Sequence, residues 1–230
     1  MLICGVDDAG RGPVIGPLVI AGILVDENGL EGLIRLGVRD SKTLSPKRRE
    51  HLAREILKVV RDCRVVKVPP SEIDHVVSSG RRLNRLNRLE ARVMASIIRD
   101  LKPDIAYVDA SDILPERFKQ HILEEIPFNV EIVSEHKADK KYPVVSAASI
   151  LAKVERDREI ENLKREYGDF GSGYAADPKT IRFLEDWVER CGSYPDFVRK
   201  TWKPAKKILA EKEKRQKGLQ AFFDGVENKR

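Results

Sequence analysis

The chain has 230 residues, of which 41% are hydrophobic and 35% are charged, and its formal net charge is +6. This length suits one large domain with its own core, and no run of about 18 apolar residues is present to cross a membrane. The first residues lack a secretory leader pattern and the three cysteines are scattered, so we expect a cytoplasmic protein whose charge permits a polyanionic partner.

Strand patterns dominate the first part of the chain. Residues 2–6 and 14–25 are apolar runs, and the turn between them is too short for a crossover helix, which predicts an antiparallel hairpin. Ser45-Pro46 predicts a helix start, a cap residue followed by proline. Residues 64–68 read as a short strand, and 83–101 repeat apolar residues at helical spacing.

Helical patterns dominate the last part. Residues 105–108 and 130–133 are predicted strands, with a predicted helix around 116–125 between them. Further predicted helices follow at 144–165, 178–190 and 202 to about 214. Strands early and helices late predict an α/β core with a helical C-terminal portion.

Four aspartates stand at or near the ends of predicted strands: Asp7, Asp8, Asp109 and Asp139. Sheets of this kind bind ligands where their strands end, and Mg²⁺ prefers oxygen ligands. Two such ions about 4 Å apart can stabilise the attacking and leaving oxygens of a phosphoryl displacement. For any single aspartate a solvated acid is the better interpretation, so spacing alone does not establish a metal site.

Several segments of the sequence, in order, resemble the motifs of one nuclease family, ribonuclease HII (type 2 ribonuclease H) of the archaeal kind. They are 5–17, 38–42, 107–109, 136–139, 142–153, 171–174 and 177–178. The resemblance spans residues 1 to about 209. It implies an RNase H-like α/β fold, a mixed five-stranded sheet flanked by helices, with a helical C-terminal region at about 178–209.

The resemblance also implies an activity. Members cleave the RNA strand of RNA/DNA hybrids and incise 5′ to single ribonucleotides in duplex DNA, leaving 3′-hydroxyl and 5′-phosphate ends, with Mg²⁺ or Mn²⁺ and two ions expected per site. The acidic quartet of the family falls on Asp7, Asp8, Asp109 and Asp139. The family has glutamate where this chain has Asp8, so its oxygens fall short by roughly 1 Å, a displacement that can cost about 100-fold in rate. A shifted backbone or a bridging water would restore the reach.

Substrate contacts are implied in the same way. Gly10, Arg11 and Gly12 resemble the segment that contacts the ribose 2′-hydroxyl, largely through backbone groups, and a glycine lets backbone approach a sugar closely. Lys42 resembles a phosphate contact, and Tyr174 is expected to pack on the deoxyribose at an RNA–DNA junction. Without the resemblance, the first segment reads as an ordinary tight turn and Tyr174 as an ordinary aromatic.

Basic clusters and one histidine have two interpretations each. The arginine cluster of the helix predicted at 83–101 and its entry fits phosphate-backbone binding and a solvated helix face equally, and phosphate binding also fits the lysine cluster near the C-terminus. His136 could assist proton transfer or product release, or it could be structural. The clusters are Arg81, Arg82, Arg85, Arg88 and Arg92, and Lys200, Lys203, Lys206 and Lys207 around Trp202.

The C-terminal tail, residues 210–230, carries a second motif at 216–223. Gln216, Leu219, Phe222 and Phe223 resemble the box that binds the sliding clamp (PCNA), in which a short helical turn places apolar side chains in a pocket. Folding back on the catalytic domain, residues 1–209, is the alternative. We expect the tail to be flexible and disordered when unbound.

Two other functions stay open at this point. One is a hybrid-binding, clamp-tethered protein whose catalysis is impaired because Asp8 replaces glutamate. The other is a nuclease or resolvase on the same fold that cleaves all-DNA junctions and ignores the 2′-hydroxyl. A monomer is expected in each case.

Overall fold

The computed structural model of the protein describes residues 1–38, 44–78 and 82–227, with side chains described except at 82–84 and 218–227. Lys42 and Arg81 therefore lie outside the described residues, as do the side chains of Arg82, Leu219, Phe222 and Phe223. The strands are β1 (Ile3–Ala9), β2 (Leu18–Val25), β3 (Asp62–Val68), β4 (Ile105–Asp109) and β5 (Glu131–Glu135). The helices are α1 (Glu27–Leu36), α2 (Pro46–Val59), α3 (Pro70–Ser78), α4 (Arg82–Leu101), α5 (Pro115–Leu123), α6 (Ala138–Lys141), α7 (Pro143–Tyr167), α8 (Pro178–Cys191) and α9 (Lys203–Glu227).

The strands form one five-stranded sheet in the order β3-β2-β1-β4-β5. β1 and β2 pair antiparallel, as the short turn predicts, and β2 pairs antiparallel with β3. β1 pairs parallel with β4, and β4 parallel with β5. Hairpins explain the antiparallel half and helical crossovers the parallel half, which confirms the predicted mixed sheet.

Helices cover both faces of the sheet because alternate residues of β2 enter different cores. Val19 and Ala21 pack in a cluster with residues of α2 and α7, whereas Leu18 and Ile20 pack in a cluster with residues of α4. Helix α7 is the most enclosed helix, since every residue from 144 to 152 is buried.

The approach of α7 to β1 depends on one glycine. A Cβ at Gly5 would lie 2.3 Å from the carbonyl carbon of Val144, which is closer than real Cβ atoms come. The missing side chain therefore lets the first turns of α7 lie directly on the central strand, two residues before Asp7.

Some bounds differ from the prediction. Strand β1 continues through Asp7 and Asp8 to Ala9, and β2 begins only at Leu18, because Gly16 takes φ 93° and Ile15 bridges Val198 instead. Helices α1 and α3 were not predicted. Helix α9 does not end near 214 but continues to 227, so the backbone of the clamp-like motif is helical; its flexibility and the domain division stay predictions.

The C-terminal helices pack on each other through charged groups. Lys212 of α9 is 9% exposed and donates to the carbonyl oxygens of Val188 and Glu189 near the end of α8. Arg215 pairs with Glu189 at 3.4 Å. Within the described residues, no helix is both long and apolar enough to span a bilayer.

Replacing Lys212 by methionine is expected to lower the free energy of unfolding by about 1–2 kcal/mol, because the carbonyls in the last turn of α8 lose the ammonium group that donates to them. Thermal unfolding measures this, with a fall of about 2–4 °C for each kcal/mol at this chain length. Lys207→Met is the matched control, since Lys207 meets Glu211 at 3.8 Å on the exposed side of the same helix. Equal losses in both variants would contradict the stabilising role of Lys212.

Candidate active site

Three of the four predicted carboxylates meet at one end of the sheet. Asp7 of β1, Asp109 of β4 and Asp139 of α6 each offer one oxygen, and these oxygens lie within 4.8 Å of one another. The parallel ladder joins 3–6 of β1 to 105–108 of β4, so the residues that follow emerge side by side. The amide of Ala138 donates to Asp109 Oδ1 at 3.0 Å and ties α6 to this end.

The fourth predicted carboxylate, Asp8, lines the same cleft but is not a member of that group within the described residues. Neighbouring residues of a strand point to opposite sides, which separates Asp8 from Asp7. The Ser111 hydroxyl donates to Asp8 Oδ1 at 3.4 Å. The role of Asp8 as a metal ligand stays a prediction.

The negative charges of these neighbouring carboxylates repel one another. Burial, followed by the charges of Asp8 and Asp109, raises the pKa of Asp7 well above its ordinary value. A hydrogen bond from Ser149 and the charge of Lys153 oppose the rise but do not cancel it. A divalent cation would remove the repulsion, and hard ions such as Mg²⁺ and Mn²⁺ accept an all-carboxylate donor set of this kind.

The Gly10–Gly12 turn faces the same cleft. Gly10 takes φ 86°, and a Cβ there would lie 2.7 Å from the carbonyl oxygen of Pro17. A Cβ on Gly12 would lie 3.5 Å from Cε1 of Tyr174. Gly10 and Tyr174 line the cleft together with Asp7 and Asp109, so the structure brings the sequence-predicted turn and tyrosine to the carboxylates.

The Arg11 side chain points into the protein. Its guanidinium donates to Asn87 Oδ1 at 2.6 Å and to the carbonyl oxygen of Ser111 at 2.8 Å, and it pairs with Glu90 at 3.1 Å. Glu90 is fully buried; burial, and then the charge of Asp8, raises its pKa to about 8, although Arg11 opposes the rise. Arg11 thus anchors the turn.

Sequence reasoning missed several cations of the cleft. Arg49, Lys153 and Arg156 line it together with the acids. Arg156 donates to the Ser172 carbonyl at 3.0 Å, and its guanidinium lies 5.4 Å from the centre of the Tyr174 ring. The spacing of residues 149, 153 and 156 on one helical face was the signal that could have found two of these cations.

Two ambiguous features are better explained as structural. Arg88 and Arg92 of α4 pair with Glu124 and Glu125 at 2.6 and 3.7 Å, which favours a solvated helix face. The ring of His136 lies between the carbonyl oxygens of Ala110 and Ile113, at 3.3 and 3.2 Å. It holds the loop that follows Asp109.

The second basic cluster is solvent-facing. Lys200, Lys203, Lys206 and Lys207 are exposed, whereas Trp202 among them is buried. Lys200 pairs with Asp196 at 3.5 Å on the surface, a contact that a phosphate could displace at little cost.

Comparison with known proteins gives consistent matches. The family model described as Ribonuclease HII matches residues 4–205. Ribonuclease HII of Pyrococcus abyssi is 48% identical over 99% of this chain and 100% of its own. The crystal structure of ribonuclease H2 from Pyrococcus horikoshii OT3 has a TM-score of 0.85 at 46% identity, covering 92% of this chain and 98% of that one. The PCNA:RNase HII complex from Archaeoglobus fulgidus contains a chain with a TM-score of 0.79 at 48% identity, covering 88% of this chain and 96% of that one.

Proposed function

This chain belongs to the ribonuclease HII family and is a ribonuclease H endonuclease acting on RNA/DNA, and we propose that it also incises duplex DNA on the 5′ side of single embedded ribonucleotides. The observation that carries the proposal is that Asp7 and Asp109, which meet Asp139 in one carboxylate group, share a cleft with Gly10 of the turn. The carboxylates, which can hold a metal for chemistry on a phosphate, and the turn, whose backbone can approach a 2′-hydroxyl, then act on one nucleotide.

The carboxylates hold the metal in this proposal. Asp7, Asp109 and Asp139 would bind Mg²⁺ or Mn²⁺, with Asp8 completing the set. Metal bound there supplies activation of water and stabilisation of the leaving 3′ oxygen. Lys153 lies beside Asp7 and partly balances its charge, while α6 keeps Asp109 in place through the Ala138 amide.

The turn and Tyr174 select the substrate. Backbone groups at Gly10, Arg11 and Gly12 read the 2′-hydroxyl, the feature that separates RNA from DNA at one nucleotide. Tyr174 is 42% exposed beside Gly12 and packs on the sugar of the following nucleotide. Arg156 against the tyrosine ring keeps that ring in position.

The test is a labelled DNA duplex containing one ribonucleotide, incubated with the protein and Mg²⁺ or Mn²⁺. Incision on the 5′ side of the ribonucleotide, leaving a 3′-hydroxyl, is expected, and chelation of the metal is expected to stop it. An all-DNA duplex and the Asp109→Asn variant are the controls. Cleavage of the all-DNA duplex with equal efficiency would overturn the proposal, and binding without incision in either metal would support the binding-protein alternative.

We further propose that residues 210–230 bind a sliding clamp through Gln216, Leu219, Phe222 and Phe223. Support comes from the motif and from the related Archaeoglobus fulgidus protein, whose structure is a complex with PCNA. Arg215 of α9 pairs with Glu189 of α8, and the motif begins at the next residue.

Substituting Phe222 and Phe223 by alanine is expected to weaken clamp binding at least tenfold, since buried aromatic anchors supply much of the free energy of such interfaces. Surface plasmon resonance with an archaeal PCNA measures it on the full chain. Lys217→Ala, inside the motif but not at a key position, is the matched control. An unchanged dissociation constant for the double variant would favour the alternative in which the tail folds on its own domain.

A further inference from the structure

A buried arginine lies directly behind the Gly10–Gly12 turn. Arg199 is 0% exposed and among the largest fully buried side chains. Its guanidinium donates four hydrogen bonds, and all of them end on backbone carbonyls, those of Gly10, Arg11 and Gly16. The bond to Arg11 is 2.8 Å long, and the two to Gly16 are 3.1 and 3.0 Å.

The third carbonyl of the turn is also held from this side. The indole Nε1 of Trp202 donates to the Gly12 oxygen at 3.2 Å, and the Arg199 guanidinium lies 5.0 Å from the Trp202 ring centre. The carbonyls of Gly10, Arg11 and Gly12 therefore all accept hydrogen bonds from one pair of side chains, Arg199 and Trp202, which we name the carbonyl-binding pair.

The carbonyl-binding pair is itself fixed to the segment between β1 and β2 and to α3. The amide of Arg199 donates to the Val14 oxygen at 2.8 Å. Asp74 of α3 accepts from the amides of Lys200 and Thr201 at 2.7 and 3.0 Å. The segment between Arg199 and Trp202 thus has hydrogen bonds on both sides, which fixes the direction from which the guanidinium meets the turn.

Holding the carbonyls determines where the amides point. The peptide bonds here are trans, and in a trans peptide the C=O and the next N–H point in opposite directions. With the oxygens of Gly10 and Arg11 turned to Arg199, the N–H groups of Arg11 and Gly12 point to the other side of the turn. A positive charge behind the carbonyls also polarises these peptides and strengthens their N–H donors.

We infer that Arg199 and Trp202 are positioning residues for ribonucleotide recognition: Arg199 orients the amides of Arg11 and Gly12 so that they can donate to a 2′-hydroxyl in the cleft, and Trp202 fixes the Gly12 carbonyl at the end of the same turn. This inference rests on the proposed function. It also explains why arginine occupies a buried site: its planar fork serves several carbonyls at once, whereas a lysine ammonium offers a single point charge. The buried charge thus has a geometric use that core packing alone would not require.

The test measures binding, so that catalysis does not enter. Binding to duplexes with one ribonucleotide and to their all-DNA counterparts is measured by fluorescence anisotropy in the presence of a chelator. The readout is the dissociation constant for the all-DNA duplex divided by that for the ribonucleotide-containing duplex. Arg199→Lys is expected to lower this ratio by roughly five- to tenfold, since each misplaced neutral hydrogen bond is worth about 1 kcal/mol. Affinity for the all-DNA duplex, which depends on phosphate contacts, is expected to stay within about twofold.

Trp202→Phe is the second variant and tests the inference even if Arg199→Lys does not fold. It keeps an aromatic six-membered ring but loses the pyrrole part of the indole and with it the Nε1 donor to Gly12, so it is expected to lower the ratio in the same direction by about two- to fivefold. Arg35→Lys is the control, because Arg35 pairs with Glu31 at 2.9 Å on the exposed face of α1. Thermal unfolding of each variant confirms that a folded protein is titrated.

The outcomes separate the two levels of the proposal. No ribonucleotide preference in the unchanged protein would overturn the proposed reading of the 2′-hydroxyl. A preference that persists in Trp202→Phe and in folded Arg199→Lys would overturn the inference alone. An equal loss of affinity for both duplexes would also overturn it, because it would show a general structural role.

Discussion

Replacing Asp7 by asparagine is expected to lower kcat for hybrid cleavage by at least about 1000-fold, because a carboxylate of the group that would bind the metal is lost. The geometry should survive, since asparagine keeps the Oδ1 that accepts from the Asp8 amide at 2.7 Å. The same change is expected to stabilise the metal-free protein, because it removes the repulsion with Asp8 and Asp109.

The stability gain depends on pH. Burial and the neighbouring charges raise the pKa of Asp7 in the folded protein, so the native state keeps this proton at pH values where the unfolded chain has lost it. The metal-free protein therefore loses stability as the pH rises from about 4 through the folded pKa, and regains it as the pH falls. Asparagine has no proton to lose, so the advantage of the variant is expected to grow with pH.

Thermal midpoints in chelator at about pH 5 and about pH 8 check this, since the midpoint difference should be larger at the higher value. Added Mg²⁺ should raise the midpoint of the unchanged protein and affect the variant far less, because a ligand stabilises only the state that binds it. Asp100→Asn, on the exposed side of α4, is the control. A midpoint for Asp7→Asn below that of the unchanged protein at both pH values would contradict the account.

Strands were predicted better than short helices, for a physical reason. β-branched runs such as 14–25 are local signals, whereas α1 contains Gly29 and Gly32, which lower helix propensity. A Cβ at Gly29 would lie 2.9 Å from the Val59 oxygen, so the glycine permits close packing on α2. Helix α3 was missed because Pro69-Pro70 reads as the end of a strand, while Pro70 is in fact its first helical residue.

The residues of the site also differ in how well the sequence predicts them. Asp7, Asp109 and Asp139 were predictable because a motif fixes them, and the structure places them together. Glu90 and Arg199 were not, since Glu90 sits on an ordinary amphipathic stripe and Arg199 binds a carbonyl 189 residues earlier in the chain. Partners so distant in sequence leave no local pattern.

Substituting Asp8 by glutamate is expected to raise kcat/KM at limiting Mg²⁺, by up to about 100-fold, because the added methylene moves the carboxylate roughly 1 Å closer to its group. The structure supports the direction of the change, since Asp8 lines the cleft without joining the three carboxylates that meet within 4.8 Å. The Ser111 hydroxyl, at 3.4 Å, is a weak partner that a longer side chain can leave.

The matched control is Asp139→Glu, which adds the same methylene to a carboxylate already in the group. The two variants are expected to change the rate in opposite directions, Asp8→Glu upward and Asp139→Glu downward, when single-turnover rates are measured across a Mg²⁺ titration. A similar fall in both would show that Asp8 already stands where the metal needs it. A rise in the first alone would show that this chain works with one carboxylate short of its best position, so that metal concentration sets its rate.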